Sequence, residues 1–325
     1  MSLAKKIRVA VNGYGVIGKR VADAVVRQDD MELAGVADIS LDWRPRVVIQ
    51  RGFRLFGASD LVVDCTPKRI AAVNVDIYRQ RGIKFIVQGG EKHEVTGHSF
   101  VAEASYASAL NRVSTRVVSC NTTSIVRTLT VLKHAGLLHR ARGTLLRRAT
   151  DPWESHLGGI MNTLVPEPEI PSHQGPDAQS VDPELDVITM AVKVPETIAH
   201  LHYWSVQLTR PAAREEVLDA FSASSRIALI RMDAGLTALN TVKELMADLG
   251  RPNDNLYEVA LWSDMLKVEG DELFYAYMVD NQAIVIPETI DAIRALTGTV
   301  SAKESIAKTD ATLGIGLLTE TLGNR

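Results

Sequence analysis

Two cysteines and eight histidines are the side chains of this 325-residue chain best suited to covalent and proton-transfer chemistry. Cys120 stands in Ser119-Cys120-Asn121-Thr122-Thr123, after Arg116-Val117-Val118 and before a stretch with apolar residues at Ile125, Val126, Leu129 and Leu132. A thiol at such a strand-to-helix junction meets helix amides and the positive end of the helix dipole, which favour the thiolate. The same amides, with the Asn121 side chain, can receive the oxyanion of a tetrahedral intermediate. Cys65, in Val62-Val63-Asp64-Cys65-Thr66-Pro67, is the opposite case and reads as packing. Thiolate chemistry on an aldehyde also needs a base for the hydroxyl proton of the adduct. His200 and His202, in Ala199-His200-Leu201-His202, lie just before a strand and alternate onto one side of an extended chain. His173 sits in a polar loop, and His93, His98, His134, His139 and His156 read as surface residues. Residue type alone does not choose among them. A metal site is not expected, because the His200-His202 pair has no third ligand at a familiar spacing.

The elements that must position these groups begin with a strand, Ile7 to Val11, a glycine-rich turn with Gly13, Gly15 and Gly18, and a helix from Lys19 to Arg27. A second strand, Glu32 to Ala37, closes on Asp38. This order of strand, turn, helix, strand and acid is the dinucleotide-binding arrangement. Its glycines give a tight bend and close approach to pyrophosphate, and its acid accepts hydrogen bonds from the adenosine ribose. Asp38 would also repel a 2′-phosphate. Further strands at Leu61 to Asp64, Phe85 to Gln88 and Arg116 to Ser119, with helices between, imply a parallel, doubly wound sheet. A helix follows from Thr122 to Lys133, then β-rich runs at Gly143 to Leu146, Val187 to Val194 and Tyr203 to Leu208. The segment from Pro166 to Asp182 reads as an ordered functional loop. Long strands with fewer helices predict an α+β second domain with a mainly antiparallel sheet. Pro287 to Leu296 reads as a helix with Pro in its first turn, able to return to the first domain.

Composition narrows the function classes. The chain is 46% hydrophobic and 23% charged, with a formal net charge of −3, which suits a globular protein and argues against nucleic acid as a partner. The local cluster Arg140, Arg142, Arg147 and Arg148 suits a small anion better than a duplex. No apolar run is long enough to span a bilayer and the N-terminus shows no signal-peptide core, so no membrane partner and a reducing, cytoplasmic location are expected.

Taken together, these residues resemble the archaeal-type, or type II, glyceraldehyde-3-phosphate dehydrogenases. The resemblance is carried by Val9-Ala10-Val11-Asn12-Gly13-Tyr14-Gly15, Val63-Asp64-Cys65-Thr66-Pro67, Gln88-Gly89-Gly90-Glu91-Lys92-His93-Glu94 and Val117-Val118-Ser119-Cys120-Asn121-Thr122-Thr123. Arg147-Arg148 with Asp151-Pro152, Pro171-Ser172-His173 with Gly175-Pro176-Asp177, Leu249-Gly250-Arg251-Pro252-Asn253-Asp254 and Asp291-Ala292-Ile293-Arg294-Ala295 extend it.

The resemblance implies Cys120 as nucleophile and His200 as base. Ser119, Asn121, Thr122, Arg147, Gln174 and Gly175 are the implied substrate-binding positions. Val16, Ile17, Gly90, Arg148 and Asn281 would join Gly13, Gly15, Gly18 and Asp38 at the cofactor. Expected partners are a phosphorylated aldehyde and inorganic phosphate, in a glycolytic homotetramer. The expected domains are 1–119 plus 286–325 for NAD(P) and 120–285 for catalysis. Four departures from the family pattern matter. Asp38 replaces a basic residue suited to NADP, which favours NAD with NADP possible. Asp280-Asn281-Gln282-Ala283 stands where the family has His-Gln-Glu-Ser. His173-Gln174 replaces two histidines. Finally, some two dozen residues are missing between Leu55-Phe56-Gly57-Ala58 and Asp60, which shortens the nucleotide-binding domain and predicts a more open adenine side. The altered loop and Asn281 keep open a related aldehyde or semialdehyde dehydrogenase with another substrate. The shortened domain keeps open a non-catalytic nucleotide-binding redox sensor.

Overall fold

A computed structural model describes residues 5–40, 42, 43, 47, 59–88, 90–152 and 160–323. The expected path from Phe56 to Asp60 and the side chains of Arg44 and Arg46 lie outside the described residues, except for positions 59 and 60. The chain divides into two compact units: Met1–Ser119 with Val285–Leu313, and Cys120–Ile284 with Gly314–Arg325.

The first unit is built on β1 (Ile7–Asn12), β2 (Met31–Ala37), β3 (Leu61–Asp64), β4 (Lys84–Val87), β5 (Ser99–Phe100) and β6 (Ser114–Val117). Their order is β2-β1-β3-β4-β6-β5 and every pairing is parallel, as the alternation with helices predicts. All four residues of β3 are buried, the pattern of a strand covered on both faces. Among the described residues β2 is an edge of this sheet. Chain order reverses direction across β1 and β3, and their carboxyl ends therefore flank a switch point, where doubly wound sheets bind ligands. The helix Val285–Thr297 belongs to this unit and begins two residues before the expected Pro287. Its buried Arg294 donates to Asp30 at 2.8 Å and to Gln28 at 2.7 Å.

The second unit holds β7 (Leu138–Arg148), β8 (Val165–Pro166), β9 (Val187–Val194), β10 (Ala199–Leu208), β11 (Ile227–Ile230), β12 (Val259–Trp262), β13 (Lys267–Glu269) and β14 (Glu272–Asp280). They run β11-β12-β14-β10-β7-β9-β8, with β13 also on β14. The sheet is mixed and mainly antiparallel: β7 with β9 and β11 with β12 are its parallel pairs. One face of β10 presents His200, His202, Trp204 and Val206, all buried. Gly143 faces Trp204 across β7, where a Cβ would come within 2.6 Å of the indole, so a larger residue would displace that ring. The helix Cys120–His134 belongs to the same unit.

Three expectations need correction. Residues 314–325, assigned by sequence to the first domain, belong to the second unit, because Leu318 packs in a core cluster with Ala199, Ile230 and Trp262. The 166–182 segment is not wholly loop, since Gln174–Gln179 is helical. His98 is not a surface side chain: it is half-buried, bonded to Thr115 at 2.7 Å and Ser108 at 2.9 Å, and burial lowers its pKa to about 4.

Candidate active site

The strand-to-helix transition places Cys120 at the first residue of its helix, two positions earlier than the periodicity predicts. His200 and His202 fall inside β10, not before it, and their alternation sends both rings to the buried face. Cys120 Sγ and His200 Nε2 are thereby brought to 3.3 Å. Burial pushes the Cys120 thiol above its usual pKa, while Arg148, the Asn121 backbone N–H and Arg147 pull it down. Burial likewise holds His200 well below the usual imidazole value, with His202, Arg148 and Arg147 adding to the effect.

Asn121 closes the other side of the thiol. Its amide nitrogen lies 3.8 Å from Sγ, and its Oδ1 is 2.8 Å from His202 Nε2. The opposite nitrogen of His202 is 3.0 Å from the Tyr277 hydroxyl. Burial, helped by Arg147, lowers the His202 pKa to about 3, so the ring is neutral and carries one proton. With His202 Nε2 against its Oδ1, the Asn121 amide presents its NH2 toward the thiol, and the Tyr277 hydroxyl behind His202 donates to Ser124 at 3.3 Å. Neither His202 in this supporting role nor Tyr277 is visible in the sequence pattern. Only the two-residue spacing of the histidines hints that they share a face.

Two arginines end β7. Arg147 is engaged by Glu167, an acid the sequence reading does not single out, and by the amide of Gln174, whose oxygen accepts from Arg147 at 3.2 Å when its nitrogen donates to Ser172 at 2.7 Å. His173 Nδ1 stands 3.4 Å from the same Glu167. Arg148 pairs with Asp151 at 3.2 Å, a contact that their three-residue spacing would allow. Its backbone N–H donates to His200 Nδ1 at 3.0 Å. Asp151 also accepts from Asn281 at 3.2 Å and from Gln282 at 2.9 Å. The Asn281 Oδ1 is buried and has no hydrogen-bond partner among the described residues.

The remaining candidates divide by what they touch. Thr122 is fully buried and donates to Asp177 at 2.7 Å. The Gly175 N–H donates to Thr189 at 3.0 Å, and a Cβ there would meet the Thr189 hydroxyl at 3.1 Å. These two brace the segment around Gln174. Ser119 is half-buried beside Cys120 in sequence. Arg140 and Arg142 lie at the far end of β7, and Arg142 pairs with Asp186, so the sequence cluster of arginines does not form one patch.

In the first unit, Gly13 has φ +92° and its Cβ position would lie 2.9 Å from the Cys65 carbonyl carbon. A Cβ on Gly18 would collide with the Gly13 carbonyl oxygen, whereas Gly15 faces open space. Glycine at Gly13 and Gly18 lets the loop fold against the carboxyl end of β3. The helix Val16–Arg27 then starts from Gly15 with no side-chain cap, leaving the first-turn amides of Val16, Ile17 and Gly18 for an anion. The half-buried Asp38 accepts the Tyr14 N–H at 2.6 Å on one oxygen and the Ser40 N–H at 2.6 Å on the other. Gly90 is exposed. Among the described residues no group of three His, Cys, Asp or Glu could hold a metal ion, and no helix is long and apolar enough to cross a membrane.

A parallel-sheet unit with an uncapped glycine turn, and a second unit with a thiol, an imidazole and two guanidiniums grouped together, fit the class of nicotinamide-dependent dehydrogenases. Comparison with known proteins agrees. The model of the glyceraldehyde 3-phosphate dehydrogenase C-terminal domain matches residues 119–248. Glyceraldehyde-3-phosphate dehydrogenases from Thermococcus kodakarensis and Pyrococcus furiosus are 40% and 41% identical over 95% of this chain and 99% of their own length. The one from Pyrobaculum neutrophilum is 42% identical over 94% of this chain and 97% of its own. The chain belongs to the glyceraldehyde-3-phosphate dehydrogenase family, among mostly archaeal relatives, and is an NAD(P)-dependent oxidoreductase.

Proposed function

We propose that the protein oxidises glyceraldehyde 3-phosphate to 1,3-bisphosphoglycerate through a thioester on Cys120. The single observation that carries this reading is the 3.3 Å approach of Cys120 Sγ to His200 Nε2 at a helix N-terminus facing two arginines. Cys120 attacks the aldehyde carbon, and inorganic phosphate later cleaves the thioester. Arg147 is the guanidinium best suited to phosphate oxygens, which would take the place of Glu167 upon it. The turn amides after Gly15 fit a pyrophosphate. The unpartnered Oδ1 of Asn281 fits the NH2 of a carboxamide. A bound nicotinamide supplies the hydride acceptor.

We infer that NAD is preferred to NADP. Asp38 is pinned by two backbone N–H groups, yet each oxygen keeps a lone pair for a ribose hydroxyl. A cytoplasmic homotetramer is the assembly and location that the family resemblance supports, and light scattering of the purified protein tests the assembly. For the reaction itself, the test is a panel of phosphorylated and free aldehydes assayed with and without phosphate. Phosphate-dependent reduction of NAD with glyceraldehyde 3-phosphate as the best substrate is the expected result. Equal or better turnover of an unphosphorylated aldehyde without phosphate would refute it.

A further inference from the structure

Two large apolar side chains of the first unit follow Asp38 closely and lie in solvent. Ile39 is 100% exposed and Trp43 is 56% exposed. Single exposed apolar residues are common on protein surfaces, so exposure alone assigns them nothing. Their setting does. Asp38 Oδ1 accepts the Ser40 N–H at 2.6 Å, which turns the chain at Ile39 and puts that side chain at the tip. The Ser40 hydroxyl oxygen then accepts the Asp42 N–H at 3.5 Å, and the Trp43 carbonyl accepts the Val47 N–H at 3.2 Å. Glycine and small polar residues ordinarily fill the exposed positions of such turns. Here an isoleucine and a tryptophan stand there instead.

The indole is also anchored. Lys19 Nζ stands 5.3 Å from the centre of the Trp43 ring, near enough for cation–π attraction. Lys19 belongs to the helix Val16–Arg27 and directly follows Gly18 of the glycine turn. The segment after β2 is therefore tied back to the helix whose first amides fit a pyrophosphate. An ammonium over one face of the indole leaves the other face for a second planar group, and more than half of the residue stays open to receive it.

We propose that Trp43 and Ile39 form the adenine subsite of the cofactor, with the purine stacked on the indole and packed against the Ile39 side chain. This rests on the cofactor reading of the first unit, in which Asp38 takes the ribose hydroxyls and the turn amides take the pyrophosphate. The connectivity of adenosine supports the placement. The base is bonded to the ribose carbon next to the one that bears the 2′-hydroxyl. A ribose held on Asp38 therefore sets the purine beside the residues that follow Asp38 in the chain. Stacking on the indole and contact with Ile39 take apolar surface of both partners out of water. A base needs only its π-face for such stacking, so no further polar partner is required.

Fragments of the cofactor test this on the whole protein. AMP and ADP-ribose carry the adenine, whereas NMN carries only the nicotinamide half. Trp204 and Trp262 are buried, so Trp43 is the exposed indole among the described residues. AMP and ADP-ribose should quench the tryptophan emission of the native protein and of Trp153→Phe, and should not quench that of Trp43→Phe. Any quenching by NMN should be the same in native protein and in Trp43→Phe. In calorimetry, Trp43→Phe, which keeps an aromatic face, should bind ADP-ribose within about fivefold of native. Trp43→Ala should bind it roughly 10- to 100-fold more weakly, the worth of one stacked base. Ile39→Ser should weaken it by about three- to tenfold, through lost apolar contact. A melting temperature equal to native, measured without nucleotide, shows that each variant is folded. If ADP-ribose binding is weakened by Asp38→Ala but not by Trp43→Ala, or if AMP still quenches Trp43→Phe, the adenine lies elsewhere and this proposal alone is wrong. If the native protein binds neither AMP nor ADP-ribose, the cofactor reading of the first unit falls and this proposal falls with it.

Discussion

Cys65 and Cys120 each follow a buried parallel strand, and burial raises both thiols, yet their neighbours carry opposite charge. Beside Cys65 stands the carboxylate of Asp64, which pushes that thiol further up. Around Cys120 stand two guanidiniums and a helix amide, which pull the other way. The contrast extends to hydrogen bonding. Asp64 is fully buried and closed upon itself: Tyr78 donates to it at 2.7 Å, Asn74 at 2.9 Å, Asn12 at 3.2 Å and the Thr66 N–H at 3.0 Å. That nest ties the ends of β1 and β3 to the helix Ala71–Gln80. At the catalytic unit, by contrast, Asn281 Oδ1 and Arg148 Nε have no hydrogen-bond partner among the described residues. A polar cluster that satisfies itself holds a shape. One that leaves donors and acceptors over is ready for a ligand, because a buried polar group without a partner costs about 1–3 kcal/mol until something binds it.

The largest effect that separates the two regions should come from the thiols. Cys120→Ser is expected to lower kcat by on the order of 10⁴ or more, as loss of a nucleophile does, with cofactor binding kept. Cys65→Ala should leave kcat within about threefold, its cost falling on packing. Stoichiometric alkylation of Cys120 that leaves turnover intact would break the comparison outright.

Asp38 is the intermediate case, half committed to the backbone. A carboxylate about 4 Å from a phosphate charge is opposed by roughly 4 kcal/mol at an effective dielectric near 20, of which solvent leaves about half. The ratio of kcat/KM should then favour NAD over NADP by tens-fold, and Asp38→Lys should reverse it. An unchanged ratio in that variant would remove Asp38 from the cofactor site and make it purely a brace for Tyr14 and Ser40.

Asn281→Ala removes the unpartnered acceptor and should raise the cofactor KM by about tenfold, the worth of one hydrogen bond, with little change in kcat. A fall in kcat at constant KM would mean that Asn281 acts on the chemistry through Asp151. The smallest effect on activity is expected from Tyr78→Phe in the closed nest. It should lower stability by about 1–2 kcal/mol, read as an earlier urea midpoint, while kcat holds. A loss of kcat without a loss of stability would show that the nest is part of the working site.

Local sequence made much of this molecule legible. The apolar run that opens β3 and the spacing of Gly13, Gly15 and Gly18 are local properties, set by side-chain type and backbone freedom, and each reads directly from neighbouring residues. Cys120 at a strand-to-helix junction is of the same kind. The resemblance then supplied His200, which no local rule separates from the other histidines. What the sequence could not decide are the relations between distant residues. Cys120 and His200 are 80 positions apart, and their approach depends on the register of β10 against β7 and on the seat of the Cys120–His134 helix. The same register brings the Arg148 amide to His200 Nδ1. Glu167 against Arg147, Tyr277 behind His202 and the nest around Asp64 were unreadable for one reason. A hydrogen bond of about 3 Å is decided by the packing of elements that local sequence does not place, so its partners appear only once the tertiary fold has set them side by side.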